Sequence, residues 1–273
     1  MNKKKKIIAA TAVISLSALL ITYIAIKPSD AAIVLAQHSG VETGLLEPEE
    51  VEIFLDSDTL PDFASIEDVK TRKYLFFEYV YRRTRLANER LMMIAVELAE
   101  MDADRISDDD AERIAELSEV YKISLEDEQY STALIELKKR VRPIPPSLVL
   151  AQAANESAWG TSRFARQAYN LFGHWCYSPG CGLVPQQRPK GATHEVRVFD
   201  QPRHSVAAYI HNLNSSRAYR ELRRIRDENP KAMGMHLAKG LRSYSEKGEA
   251  YVDEIQGLIK HNKLQVYDRK YFE

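Results

Sequence analysis

Ser147-Leu148-Val149-Leu150-Ala151-Gln152-Ala153-Ala154-Asn155-Glu156-Ser157-Ala158-Trp159-Gly160 is the stretch on which the reading of the fold turns. It follows Val141-Arg142-Pro143-Ile144-Pro145-Pro146, where prolines remove amide donors and restrict the residues before them, so no helix runs through. Pro146 suits the first turn of a new helix and Gly160 its end, which predicts a helix over roughly 147–159. Leu148, Ala151, Gln152, Asn155, Glu156 and Trp159 then share one face. Glu156 falls at the carboxyl end of an otherwise apolar helix, one turn from a tryptophan. The helix dipole at that end and an apolar wall both disfavour a negative charge. A carboxylic acid kept protonated near neutrality is what general-acid cleavage of a glycosidic bond uses. A solvated glutamate at a helix end is the plain alternative.

Toward the amino terminus the pattern is helical from Ile66 to Val141. Ser65 is a candidate cap for a helix from Ile66, with Val69, Tyr74, Phe77, Val80 and Tyr81 as its stripe. Leu91, Ile94, Ala95, Leu98 and Met101 extend or restart it. Ser107 followed by three aspartates is a strong start signal, and Ser124 is read as another. Arg82, Arg83, Arg85 and Arg90 are read as a solvated basic face balanced by nearby acids. The 273 residues hold 38 Lys+Arg against 39 Asp+Glu, a net charge of -1, which argues against nucleic-acid binding by gross charge.

Lys3 to Lys6 precede Ile7–Ile26, 20 residues without a charge. A helix of that length spans roughly 30 Å, about one hydrocarbon core. The run is long for a cleaved signal peptide and ends in Ile24-Ala25-Ile26-Lys27-Pro28, so an uncleaved signal anchor fits better. The lysines then stay cytoplasmic. The expected location is the bacterial inner membrane, single pass, with the rest of the chain in the periplasm. The expected division is an anchor over 1–27, a tether over 28–65, a helical segment over 66–142 and a catalytic domain over 143–273. In an exported chain Cys176-Tyr177-Ser178-Pro179-Gly180-Cys181 reads as a small disulfide loop. Free thiols, or a metal site that adds His174, His194 and His204, are the other readings.

The quoted helix continues as Thr161-Ser162-Arg163-Phe164-Ala165 and is followed by Tyr169-Asn170-Leu171-Phe172-Gly173. Together these resemble the Glu-Ser-x-Trp-Gly and Asn-Leu-Phe-Gly signature of glycoside hydrolase family 73, endo-β-N-acetylglucosaminidases that cut peptidoglycan. The resemblance covers about residues 143 to 267. Trp175-Cys176, Cys181-Gly182-Leu183-Val184-Pro185 and Tyr244-Ser245-Glu246-Lys247-Gly248-Glu249-Ala250-Tyr251-Val252 look most like one bacterial branch of it. The resemblance implies a mainly α (α+β) fold, a lysozyme-like helical domain with a small β-hairpin lobe. It implies peptidoglycan strands as substrate, with no metal or organic cofactor. It places Glu156 in the general-acid position and makes Glu195 the candidate second carboxylate. Glu195 lies in His194-Glu195-Val196-Arg197-Val198-Phe199, which alternates as a short strand should, with Val196 and Val198 on one side. Asp200 is its nearest rival, and Arg197 is a simple surface partner for Glu195.

Tyr244 matches the family's functional tyrosine, although its setting departs from the usual Gly-Tyr-Ala-Thr-Asp-Pro. An aromatic face with a hydroxyl suits a sugar ring, and a core tyrosine fits composition equally well. Tyr219 is a weaker candidate of the same kind. Phe172 and Trp175 read as cleft wall or core, and Trp159 and Asn170 as further substrate contacts. A lytic transglycosylase would use one glutamate in the same way, but its Gly-Leu-Met-Gln segment is missing after Gly173. A non-catalytic wall-binding protein that recruits a partner through residues 66–141 is the remaining alternative.

Overall fold

A computed structural model describes residues 48–125 and 129–272. Its first half holds α1 (Pro48–Asp56), a 3-10 turn (Phe63–Ser65), α2 (Val69–Glu100), α3 (Asp108–Tyr121) and α4 (Tyr130–Arg140). Then come α5 (Pro146–Ser157), α6 (Arg163–Ala168), β1 (Trp175–Cys176), β2 (Gly182–Leu183) and β3 (Glu195–Arg197). The rest is helical: α7 (Pro202–Ser215), α8 (Arg220–Glu228), α9 (Gly234–Leu237), α10 (Glu249–His261) and α11 (Gln265–Phe272). The expected anchor over Ile7–Ile26 lies outside the described residues. Among those residues no helix is long and apolar enough to cross a membrane.

Helix α5 is the axis of the fold. Leu148, Val149, Leu150, Ala151 and Ala153 are fully buried, as a helix without a polar face must be. Helices α2, α9, α10 and α11 surround it. Pro146 occupies its first turn as the sequence predicts. Its cap residue Pro145 offers no side-chain acceptor, so the free amides of the first turn need one from elsewhere. Asp268 of α11 supplies it. The buried carboxylate accepts from the Ser147 amide (2.8 Å), the Ser147 hydroxyl (2.6 Å) and the Gly234 amide (2.9 Å). At Gly234 an added Cβ would lie 2.2 Å from Ser147 Oγ, so the junction closes only with glycine there.

Helix α3 starts at Ser107 as expected, through a capping box in which Ser107 and Asp110 bond to each other's backbone amides. Two other starts differ. Asp68, not Ser65, caps α2: its carboxylate accepts from the Thr71 amide and hydroxyl, both at 2.7 Å. A carboxylate next to the first turn outcompetes a serine three residues earlier, which instead donates to the Asp62 carbonyl and closes the 3-10 turn. Helix α4 begins at Tyr130 rather than near Ser124. The two apolar stretches of 66–101 form one helix of 32 residues.

The stretch read as a tether supplies structure from Pro48 on. Arg82 bridges Glu52 (3.0 Å) and Asp56 (2.6 Å). Arg83 is buried, not solvated. It donates to the carbonyls of Leu55 (2.8 Å) and Tyr79 (2.9 Å), and also to that of Ser57. The free carbonyls at the end of α1 make that end a natural seat for a guanidinium. Phe63 is fully buried against Phe76, with ring centroids 5.3 Å apart. The segment 66–142 also packs onto the part that follows Pro143. Asn88 of α2 bonds both the amide (3.1 Å) and the carbonyl (2.8 Å) of Ile144, and Tyr267 donates to Glu78 at 2.7 Å. Residues from Pro48 onward form one compact unit.

The small lobe is a three-stranded antiparallel sheet with β3 in the middle, so it exceeds the expected hairpin. Trp175 pairs with Val196 and Cys176 with Glu195 on one side; Gly182 pairs with Arg197 and Leu183 with Val196 on the other. The predicted alternation stops at Arg197. Val198 is exposed and Phe199 buried, because the Phe199 amide turns to the Ala168 carbonyl at 2.9 Å.

Helix α5 ends in three consecutive left-handed residues, Ala158, Trp159 and Gly160 (φ 50°, 59° and 76°). A Cβ on Gly160 would lie 2.7 Å from the Phe63 ring. Gly160→Ala therefore combines backbone strain with a clash against a core ring. It is expected to destabilise the protein by about 2 kcal/mol or more. Thermal unfolding checks this, and an unchanged midpoint would count against the packing described.

Candidate active site

Gln152 and Glu156 stand one turn apart on α5, and the four-residue spacing aligns them along one side. Gln152 is fully buried and Glu156 half-buried. Three side chains form a donor chain that ends on the acid. Tyr209 of α7 donates its hydroxyl to Gln152 Oε1. Gln152 Nε2 donates to the Tyr251 hydroxyl at 2.8 Å, and Tyr251 of α10 donates to Glu156 Oε1 at 2.6 Å. Asn155 Nδ2 adds a bond to the same oxygen at 3.2 Å. Each hydroxyl or amide polarises the next, so the terminal bond is stronger than an isolated one. Burial raises the pKa of Tyr251, with the nearby Glu156 charge next in size, and burial likewise raises Tyr209 and Tyr244. These phenols stay protonated donors across the working pH range.

Aromatic rings build the wall behind the acid. Tyr244 stacks on Tyr251 at 5.3 Å and 6°, and its hydroxyl donates to the Phe172 carbonyl at 2.8 Å. Phe172 stacks on Tyr209 at 4.0 Å and 10°. Tyr219 is buried 6.1 Å from Tyr244. Tyr244, Tyr219 and Phe172 thus gather around Glu156, with Tyr244 acting on it through Tyr251. Trp159 lies to the other side of the helix end, edge-on to Phe77 (5.0 Å) and Phe76 (5.9 Å) of α2.

Asn170 joins the small sheet to the helical body. It is buried and bonds four backbone groups: it donates to the carbonyls of His174 and Arg197 (2.9 Å each) and accepts from the amides of Phe172 (3.3 Å) and His174 (3.0 Å). An amide has two donors and two main acceptor sites, so all of its capacity is engaged. Trp175 is 56% exposed and stacks on His194 at 4.1 Å.

Glu195 projects from β3 beneath the loop closed by the Cys176–Cys181 disulfide. Its two oxygens accept from the amides of Gly180 in that loop (3.1 Å) and Gly182 at the start of β2 (2.8 Å). Among the described residues no hydrogen bond links it to the Glu156 cluster. Those amides hold its carboxyl below the usual carboxylate range. Asp200 is exposed. Both cysteine sulfurs are taken by the disulfide, which leaves no thiolate beside Glu195 for a metal. Next to the sheet, His174 Nε2 has no hydrogen-bond partner among the described residues, and burial, with Arg197 second, pushes its imidazole down to about 4.

This arrangement of a half-buried acid, its donors and a small sheet falls within residues 131–264, which match the glucosaminidase family, described as mannosyl-glycoprotein endo-β-N-acetylglucosaminidase. Residues 131–264 are thus a glucosaminidase-type domain. It is also 32% identical over 155 residues to protein Bax of Escherichia coli strain K12, a match covering 55% of each chain. The chain thus spans about half the length of that relative. No solved structure matches it. The glucosaminidase domain is that of a glycan hydrolase. Its matched segment excludes α2 and Asp268 of α11, both of which the fold uses to set α5 in place.

Sequence reasoning on the glucosaminidase domain passed over Tyr251, Tyr209 and Gln152. Tyr251 stood seven residues beyond Tyr244 in the quoted stretch, a spacing that returns a residue to the same helix face. Here the connection is irregular, and only the ring stacking brings the pair together.

Tyr251→Phe keeps the stacked ring and removes the donor to Glu156. With a charge-assisted bond contributing about 1.5–3 kcal/mol, kcat on wall glycan should fall roughly 10- to 100-fold with the fold intact. A kcat equal to the parent's would show that the bond plays no part. The small lobe should weaken in two stages on acidification. Between pH 6.5 and about 4 the unfolded His174 takes a proton that the buried one refuses, so stability is lost as pH falls. Below the ordinary carboxylate range Glu195 is protonated and releases its amides, so the stability it gave above that range is lost. Amide exchange at Gly180 and Gly182 reads both stages, and Glu195→Gln should abolish the second only.

Proposed function

We propose that this protein is a peptidoglycan hydrolase that cleaves the β-1,4 bond after N-acetylglucosamine, with Glu156 as general acid. The observation that carries the reading is Glu156 at the end of a buried helix, held by the Tyr251 hydroxyl at 2.6 Å in a wall of aromatic rings. Those buried rings fix the end of the helix, and a held, half-buried carboxyl there suits protonation of a leaving oxygen. The helical body with a small sheet is the arrangement a lysozyme-like domain would have. The match of residues 131–264 to the glucosaminidase family supplies the sugar.

As a second catalytic carboxylate Glu195 would activate water or stabilise the oxocarbenium charge. Its engagement by Gly180 and Gly182 favours a second route, in which the substrate's own acetamido oxygen attacks the anomeric carbon and Glu195 braces the sheet. The same reading puts the domain outside the cytosol, tethered through the apolar run Ile7–Ile26, in keeping with the Cys176–Cys181 disulfide.

The decisive pair is Glu156→Gln and Glu195→Gln, assayed by mass spectrometry of digested wall. Loss of general acid catalysis should lower turnover of Glu156→Gln about 10²- to 10⁴-fold, with Glu195→Gln losing much less. Hydrolysis undiminished in Glu156→Gln refutes the assignment. Anhydro-muramyl ends in place of reducing N-acetylglucosamine ends would mean transglycosylation.

A further inference from the structure

Helices α4 and α8 line a groove of about 400 Å³. Arg220, Arg223, Arg224 and Asp227 reach it from α8, and their three-and-four spacing puts them on one helix face. Glu136, Lys139 and Arg140 line it from α4.

The charge of this groove is unbalanced residue by residue. Its lining holds five cations, Lys139, Arg140, Arg220, Arg223 and Arg224. It holds three acids, and each already has a partner. Glu136 pairs with Arg140 at 2.8 Å, Asp227 with Arg142 at 3.0 Å, and Glu228 with Arg224. Glu221, next along α8, is also taken by Arg224, at 2.6 Å. Lys139, Arg220 and Arg223 are left with no ion-pair partner among the described residues. Lys139 stands in the last turn of α4, where the helix dipole favours a cation, but Arg220 opens α8, where the dipole disfavours one. Arg226 adds a buried cation on the same helix, donating to the Asn214 side chain and the Lys139 carbonyl, both at 2.8 Å.

Arg223 is the residue that calls for a ligand. It is only 5% exposed. Its Nη1 donates to the carbonyls of Leu213 (3.0 Å) and Ser216 (2.8 Å). Its Nε and Nη2 carry the remaining donors of the guanidinium and have no partner among the described residues. Burial lowers its pKa and the Arg140 charge adds to this, while Glu136, Arg220 and Asp227 follow with opposing signs. A buried charge in that state lacks an anion. A phosphate group has enough oxygens to accept at once from the open side of the Arg223 fork, from Arg220 and from the Lys139 ammonium.

We infer that the groove between α4 and α8 is a binding site for a phosphate group, carried either by free inorganic phosphate or by the phosphate monoester of a glycerol headgroup. This inference stands apart from the reading of Glu156.

The test is calorimetry on the full chain, kept in a non-ionic detergent at low salt. It is titrated with sodium phosphate and, separately, with glycerol 3-phosphate. At least one should bind at a single site with a Kd of about 0.1–1 mM. Tighter binding of inorganic phosphate identifies the free ion as the source, and tighter binding of glycerol 3-phosphate identifies the headgroup. Lys139→Gln combined with Arg220→Gln changes two exposed side chains and should weaken binding roughly 10-fold or more. Arg223 is left in place because its Nη1 bonds hold the end of α7. Lys190→Gln combined with Lys260→Gln removes the same charge from residues that do not line the groove, and should change the Kd by less than about 2-fold. No saturable binding of either ligand up to about 10 mM, an unchanged Kd in the Lys139 and Arg220 variant, or an equal loss in the Lys190 and Lys260 variant would overturn the inference.

Discussion

The Asp268 carboxylate on the first turn of α5 is the constraint from which the rest follows. A helix entered through three closely spaced prolines and capped by Pro145 has no local acceptor for its free amides. The acceptor comes from α11, 121 residues later in the chain. Burial raises the Asp268 pKa, yet Ser147 and Gly234 supply three donors against that penalty. With the start of the helix fixed there, Gln152 is fixed in its middle and Glu156 at its end. The order of donors Tyr209, Gln152, Tyr251, Glu156 can then form without adjustment, and a site in which every partner is already aligned loses little entropy when substrate arrives.

Local chemistry was legible in the sequence, and contacts between distant segments were not. Ser107 and Asp110 are three residues apart, and Pro146 stands at the first turn it was expected to fill. The α5 face carrying Gln152 and Glu156 follows from the same short-range geometry. Ser65 and Asp68 show where local reading fails: both are good caps, and only the carboxylate's two bonds to Thr71 decide between them. Arg83 looks like any surface arginine until the end of α1 presents the Leu55 and Ser57 carbonyls to it. Asp268 and Tyr251 have partners 121 and 95 residues away, and no periodicity records that.

Glu195 illustrates a different limit. Its residue type and place on a strand fit a catalytic carboxylate, but a carboxylate also accepts amide bonds, and the Pro-Gly turn and the start of β2 each present one. Together with the four bonds of Asn170, this makes the small sheet a braced unit despite strands of two or three residues. Short strands alone would be marginal.

The burial of Phe63 against Gly160 bears on how the molecule can be dissected. A recombinant fragment trimmed to the family boundary would bare the Trp159 flank, strand the Ile144 backbone without Asn88, and lose Asp268 from the start of α5. The smallest piece that keeps its interior dry begins at α1, so the folding unit is larger than the homologous one.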